Sequence, residues 1–114
     1  MHSRLTVAAL TVAIAFGALP GTAMAASETK SRAVVAEARG KIEANDKAGL
    51  SGTAATDAQS RAREALTRAE QAIRQDKENR AYYEANSADA LAGLAQATSE
   101  LDKLTTERNQ LAAQ

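Results

Sequence analysis

The groups that could carry chemistry in this 114-residue chain are carboxylates, basic side chains, hydroxyl groups and two tyrosines. The chain contains no cysteine, and its single histidine is His2. Thiolate chemistry is therefore excluded, and histidine-dependent catalysis and zinc or copper sites lack their usual side chains beyond the amino terminus. The 14 basic and 14 acidic residues balance each other, which argues against nucleic acid as a partner because that needs a basic surface.

Two acidic residues, Asp46 and Asp57, bracket a segment of the length of a calcium-binding loop. Its alternate positions would have to supply oxygen ligands, but Ala48, Leu50 and Gly52 occupy them. A catalytic pair of carboxylates needs a sheltered cleft, and helices packed through alanine leave little room for one. We therefore predict no catalytic residues, no cofactor, no metal ion and no small-molecule substrate.

The amino-terminal segment has the pattern of a secretory signal peptide. Arg4 supplies the positive charge, residues 5–19 form an apolar run, and Ala23 and Ala25 are small residues at the positions that signal peptidase reads. We predict cleavage after Ala25 and a periplasmic or secreted protein comprising residues 26–114. An uncleaved amino-terminal anchor is the alternative.

The rest of the chain has the composition of an all-α protein. It is rich in alanine, contains no proline and shows no β-strand alternation. An acidic residue precedes a basic one by four positions in seven pairs, a spacing that favours helices, and we predict that these charges lie on a solvated outer surface. The pairs are Glu28/Arg32, Glu37/Lys41, Glu43/Lys47, Asp57/Arg61, Glu64/Arg68, Glu70/Arg74 and Asp76/Arg80.

We predict a single helical domain with helices over residues 28–47, 56–77 and 79–112. The first break contains Gly49 and Gly52, after which Thr56 and Gln59 fit a capping box with Thr56 as the N-cap. The second break is weaker, and Asn79 is a candidate N-cap there. A single continuous helix from residue 56 to 112 is the alternative.

One face of the second predicted helix consists of small side chains at a four–three spacing: Ala58, Ala62, Ala65, Ala69 and Ala72. Such a face allows a neighbouring helix to approach closely. Because this face needs a partner, we favour a turn before the third helix. The predicted fold is an antiparallel helical hairpin or a three-helix bundle with a coiled-coil-like C-terminal helix.

The third predicted helix carries a leucine stripe at three–four spacing, formed by Leu94, Ala97, Leu101, Leu104, Arg108 and Leu111. Its leucines are candidate contacts for a protein partner or for self-association, because residues 26–114 alone would be only marginally stable. Tyr82 and Tyr83 are further candidates, since tyrosine is common in binding hot spots. The alternative is that one ring closes the end of the hairpin and the other is half-exposed.

Residues 58–73, followed by a polar break and then by residues 81–85 and 90–92, resemble a bacterial envelope family. This family is catalogued as domain of unknown function 4398, and the resemblance covers about residues 30–98. It implies a signal-bearing, alanine-rich helical module without catalytic activity. The chain departs from the pattern at Asn86 and Ser87, and it lacks the peptidoglycan-binding domain that some members carry.

The sequence therefore predicts a non-catalytic structural or interaction protein of the cell envelope. We expect a protein partner or self-association, with association to the cell wall or outer membrane as a further expectation. The alternative is a flexible, alanine-rich stress protein that becomes helical on drying or at a membrane surface.

Overall fold

The computed structural model describes residues 23–114, with side chains described from residue 29 onward. Over this range the chain forms three helices and no strand, which confirms the predicted all-α class. The helices are α1 (Ala23–Ala48), α2 (Thr53–Arg74) and α3 (Glu78–Ala112). The predicted signal peptide falls mostly on residues 1–22, which lie outside the described residues.

The three helices pack side by side as an up-down-up bundle. Three successive core layers each take one residue from every helix: Val35/Ala69/Ala85, Ala38/Ala65/Ala88 and Ile42/Ala62/Ala92. Along these layers the residue numbers rise in α1 and α3 and fall in α2. Helix α2 is therefore antiparallel to both neighbours, as the predicted hairpin requires.

Alanine supplies the surface on which α2 and α3 meet. Every alanine that was predicted to face a partner from the second helix is buried, and α3 presents a matching row. Because these side chains end at a methyl group, the two helices can pack closely along their length. The buried alanines are Ala55, Ala58, Ala62, Ala65, Ala69 and Ala72 on α2 and Ala81, Ala85, Ala88, Ala92 and Ala95 on α3.

The α1–α2 connection differs from the predicted capping box. Helix α2 begins at Thr53 rather than residue 56, and its N-cap is Gly52, which makes no side-chain cap hydrogen bond. Thr56 lies inside the first turn, where its hydroxyl donates to the Thr53 carbonyl oxygen at 3.0 Å. Gln59 does not reach back to the cap because its side chain is buried between the helices. Gly52 has a φ of +99°, a backbone conformation that favours glycine, and an added Cβ would lie 3.0 Å from Cγ of Asp102, so that side chain would have to shift slightly.

The α2–α3 connection is a tight turn, so the alternative of one continuous helix from residue 56 to 112 is wrong. Helix α2 ends at Arg74 rather than residue 77, and Asp76 adopts a φ of +59°. The Lys77 amide donates to the Ala72 carbonyl oxygen at 2.8 Å, and the Asp76 amide donates to that of Ile73 at 3.0 Å. This is a Schellman motif with aspartate at the position where glycine is usual. Helix α3 then begins at Glu78 with Lys77 as its N-cap, so Asn79 is not the cap that the sequence suggested.

Candidate interaction site

The leucine stripe lies on the solvent-facing side of α3. Leu94, Leu101, Leu104 and Leu111 are between 51% and 67% exposed, so none of them is packed inside the bundle. Since α-helical residues advance by 100°, the stripe lies on the side of α3 opposite the alanines that face α2. Helix α3 therefore has two faces at coiled-coil spacing, one covered by the bundle and one open.

The bundle ends before α3 does. The α1–α2 connection contacts α3 through the Ser51 amide, which donates to Oγ of Ser99 at 2.8 Å, and through the Ser51 hydroxyl, which hydrogen-bonds to Asp102. The ammonium group of Lys103 donates to the Gly49 carbonyl oxygen at 3.3 Å. From residue 103 to residue 114 every side chain is exposed. The carboxyl-terminal part of α3 thus extends past its neighbours.

The covered face of α3 changes character where the bundle ends. After Ser99, its next positions at three–four spacing are Asp102, Thr106 and Asn109, which are polar. The leucine stripe instead continues to Leu111. The extension of α3 is therefore amphipathic, and its apolar side continues the open face of the helix.

The two tyrosines separate, as their adjacent positions on a helix require. The Tyr82 ring is half-buried, and the Lys30 ammonium on α1 lies 5.0 Å from its centroid, within the range of a cation–π contact. Tyr83 is 69% exposed and lies on the same side of α3 as the leucine stripe. Tyr82 thus contacts α1, and Tyr83 is the tyrosine accessible to a partner.

A buried polar cluster that the sequence interpretation missed ties the three helices together. Asn45 Nδ2 donates to Gln59 Oε1 at 2.9 Å and to the Ala92 carbonyl oxygen at 3.0 Å. Gln59 Nε2 donates to the Ile42 carbonyl oxygen at 2.9 Å. The sequence signal is that Asn45 continues the spacing of the buried positions of α1, as Gln59 does between alanines of α2. A buried polar network of this kind fixes the register of packed helices, because a shifted register would leave its groups without partners.

From residue 29 onward, the charged side chains of the predicted pairs lie on the outer surface, as predicted, and several charged side chains also join neighbouring helices. Of the predicted pairs, Glu37–Lys41 and Asp57–Arg61 form within their helices at 3.8 and 3.1 Å. Four further ion pairs join different helices, and three of them include a member of a predicted pair: Lys41, Arg68 or Glu70. These interhelical pairs are Arg39–Glu70, Lys41–Asp89, Arg63–Asp46 and Arg68–Glu84.

Two of these interhelical pairs contain one residue each whose pKa is shifted, Asp46 and Lys41. The guanidinium of Arg63 and the amide of Gln59 hydrogen-bond to Asp46 and hold its pKa below the ordinary value of 3.8, against a smaller opposing effect of burial. The hydrogen bond to Asp89 raises the pKa of Lys41 above its ordinary value of 10.5. Both shifts favour the charged forms, so the pairs are intact at neutral pH.

A surface groove lies between α1 and α2. It has a volume of about 400 Å³, is open to solvent, and is lined by Arg32, Val35, Arg39, Glu70, Ile73 and Arg74. The carboxylate of Glu70 pairs with Arg39 there, so part of the positive charge is already neutralised. Within the described range, no three histidine, cysteine or acidic residues lie close enough together to hold a metal ion. The side chains of this surface can form ion pairs and apolar contacts with another helix.

Comparisons with known proteins found no matching family model, no matching curated protein and no matching solved structure. None of the three helices between residues 23 and 114 combines the length and the apolar character that crossing a bilayer requires.

Proposed function

We propose that this chain is a non-catalytic interaction protein of the bacterial cell envelope, which binds another helix through the leucine stripe of α3. One observation carries the proposal. The large apolar side chains that are exposed in the described part of the chain all belong to α3 and lie on its open face: Tyr83, Leu94, Leu101, Leu104 and Leu111. A row of exposed large apolar side chains on one face of a helix marks an interaction site, and its spacing fits a second helix.

The envelope location rests on the signal-peptide pattern of residues 1–25 and on the resemblance to the envelope family. We propose cleavage after Ala25 and a periplasmic or secreted destination. Mass spectrometry of the protein recovered from a periplasmic fraction tests both parts. The expected amino-terminal residue is Ala26, and recovery of the uncleaved chain in the membrane fraction would instead favour an anchor.

Crosslinking in intact cells tests the interaction. The double variant Leu101→Glu/Leu104→Glu places charges on the leucine stripe, at positions that are exposed in the bundle, so it should fold while losing its crosslinked complexes. Thr106→Glu/Asn109→Glu is the matched control, because it adds the same charge to the extension of α3 on the other side. Complexes that survive the stripe substitutions unchanged would contradict the proposal.

The flexible stress-protein alternative predicts a chain that is disordered in dilute buffer. Circular dichroism separates the two hypotheses. A packed bundle gives high helicity without additives and a cooperative thermal transition, whereas the flexible protein becomes helical only on drying or with lipid.

A further inference from the structure

The leucine stripe has an internal symmetry that indicates its occupant. When the stripe is reversed about a point between residues 102 and 103, Leu94 falls on Leu111, Ala97 on Arg108, and Leu101 on Leu104. Large apolar positions thus coincide with large apolar positions, and the smallest residue coincides with the longest.

We propose that the stripe binds the same stripe of a second copy of this chain, with the two α3 helices antiparallel and Leu101 facing the partner's Leu104. This inference rests on the proposed function and names the partner of that same surface. The contact is isologous, because both copies use the same surface. Each pair of contacting residues, such as Leu101 and the partner's Leu104, therefore occurs twice about a two-fold axis. It spans residues 94–111, about 26 Å at 1.5 Å per residue.

The one polar residue of the stripe fits this antiparallel register. Arg108 faces the partner's Ala97, whose small side chain leaves space for the aliphatic part of arginine. One helical turn further along, the partner's Glu100 borders the stripe, within reach of the Arg108 guanidinium. By symmetry, the partner's Arg108 lies beside Glu100 of the first copy. The partner's Glu107 also lies close to this Glu100. Each arginine therefore supplies a positive charge that offsets the repulsion between the two carboxylates at that edge.

The parallel arrangement of the same two helices fits poorly. Every stripe residue would face its own copy, so Arg108 would meet the partner's Arg108 inside the contact, and Ala97 would meet the partner's Ala97. Two guanidinium groups facing each other in a desolvated contact repel, and two facing alanines leave a gap between leucine layers. Charge and side-chain volume therefore both select the antiparallel orientation.

The bundle leaves room for this partner. The α1–α2 connection lies against Ser99 and Asp102, on the covered face of α3, and the stripe faces away from it. In the antiparallel register the extension of each α3 lies along the open face of the other copy's α3, and the two bundles lie at opposite ends. A contact of about five helical turns belongs with small, reversible interfaces, so we expect dissociation in the micromolar range.

Sedimentation velocity on the protein as purified from cells that process its amino terminus tests self-association. We expect a monomer–dimer equilibrium that responds to concentration across the micromolar range. Leu101→Glu/Leu104→Glu should be monomeric throughout, with at least a tenfold weaker association, whereas Thr106→Glu/Asn109→Glu should dimerise as the parent does. Thermal melting of both variants checks that the bundle is intact.

Disulfide formation tests the orientation, since the chain has no cysteine of its own. Leu94→Cys and Leu111→Cys are made in separate chains. Under mild oxidation each alone should remain largely uncrosslinked, and a mixture of the two should give a covalent dimer. Efficient crosslinking of each variant with itself, without a crosslink between the two different variants in the mixture, would show a parallel pair and overturn the inference.

The outcomes separate this inference from the proposed function. A parent protein that is monomeric at all concentrations, but whose cellular complexes disappear with the stripe substitutions, overturns self-association and leaves the interaction function standing. A monomer whose cellular complexes are unaffected by those substitutions overturns both.

Discussion

Single residues in the core are limited in size by the close approach of the helices. Ala65 is fully buried in the layer that it shares with Ala38 and Ala88. A larger side chain there would have to push two neighbouring helices apart. We expect Ala65→Leu to lower the free energy of unfolding by about 1–3 kcal/mol, as overpacking commonly does. Urea denaturation measures the change, and Ala54→Leu, at an exposed position of the same helix, is the control that should change it little.

The Asp46 carboxylate gives the bundle a defined response to acid. Because the pKa of Asp46 in the folded protein lies below its ordinary value of 3.8, its charged form favours folding at a pH above about 4. This contribution is lost as the pH falls through the folded-state pKa. We therefore expect Asp46→Asn to lower the melting temperature at pH 7 and the difference from the parent to shrink as the pH falls below about 4. A difference that stays constant as the pH falls further would contradict a role for the ionised group.

At the scale of elements, the α2–α3 turn stores backbone strain at one residue. Asp76 holds a φ of +59° as the αL residue of the Schellman motif, a conformation that glycine adopts freely and that aspartate tolerates better than most other residues. We expect Asp76→Gly to raise the free energy of unfolding by up to about 1 kcal/mol and Asp76→Ala to lower it by a similar amount. Thermal denaturation of the two variants checks this, and equal effects would show that the turn imposes no such requirement.

How far the elements could be predicted depends on whether a signal is local. The buried alanine face of α2 and the existence of the turn follow from spacing within one segment, so the sequence predicted them. The predicted start of α2 was wrong because Thr56 and Gln59 match a capping box. In the structure the helix begins three residues earlier, after Gly52, which is its N-cap.

The side-chain partners across the bundle were missed for a related reason. Gln59 bonds to Asn45, 14 positions away, and Arg68 bonds to Glu84 on the next helix rather than to Glu64 within its own. A four-residue spacing shows which charges share a helix face, but the neighbouring helix decides which of them pair. The leucine stripe was proposed as a contact surface from its three–four spacing, and the structure shows that its four leucines are exposed.

At the scale of the whole molecule, α3 has two parts, one that packs in the bundle and one that extends beyond it. Residues 78–102 complete the bundle, mainly through alanine, and the remainder of α3 extends beyond it. The apolar strip runs along both parts, from Leu94 to Leu111. A helical segment without tertiary contacts is marginally stable in water, because most helical stability comes from packing. In the monomer, the backbone amides of the α3 extension, from residue 103, should therefore be less protected against hydrogen exchange than those of the bundle. They should gain protection when a second helix covers the leucine stripe.

Hydrogen exchange of the backbone amides of residues 103–112, followed against protein concentration, tests the central claim most directly. The account predicts rapid exchange at nanomolar concentration and protection that rises as copies associate, with the amides of residues 81–95 slow throughout. In Leu101→Glu/Leu104→Glu the extension should exchange rapidly at every concentration. Rapid exchange of the parent extension at all concentrations, or protection that does not depend on concentration, would contradict the account.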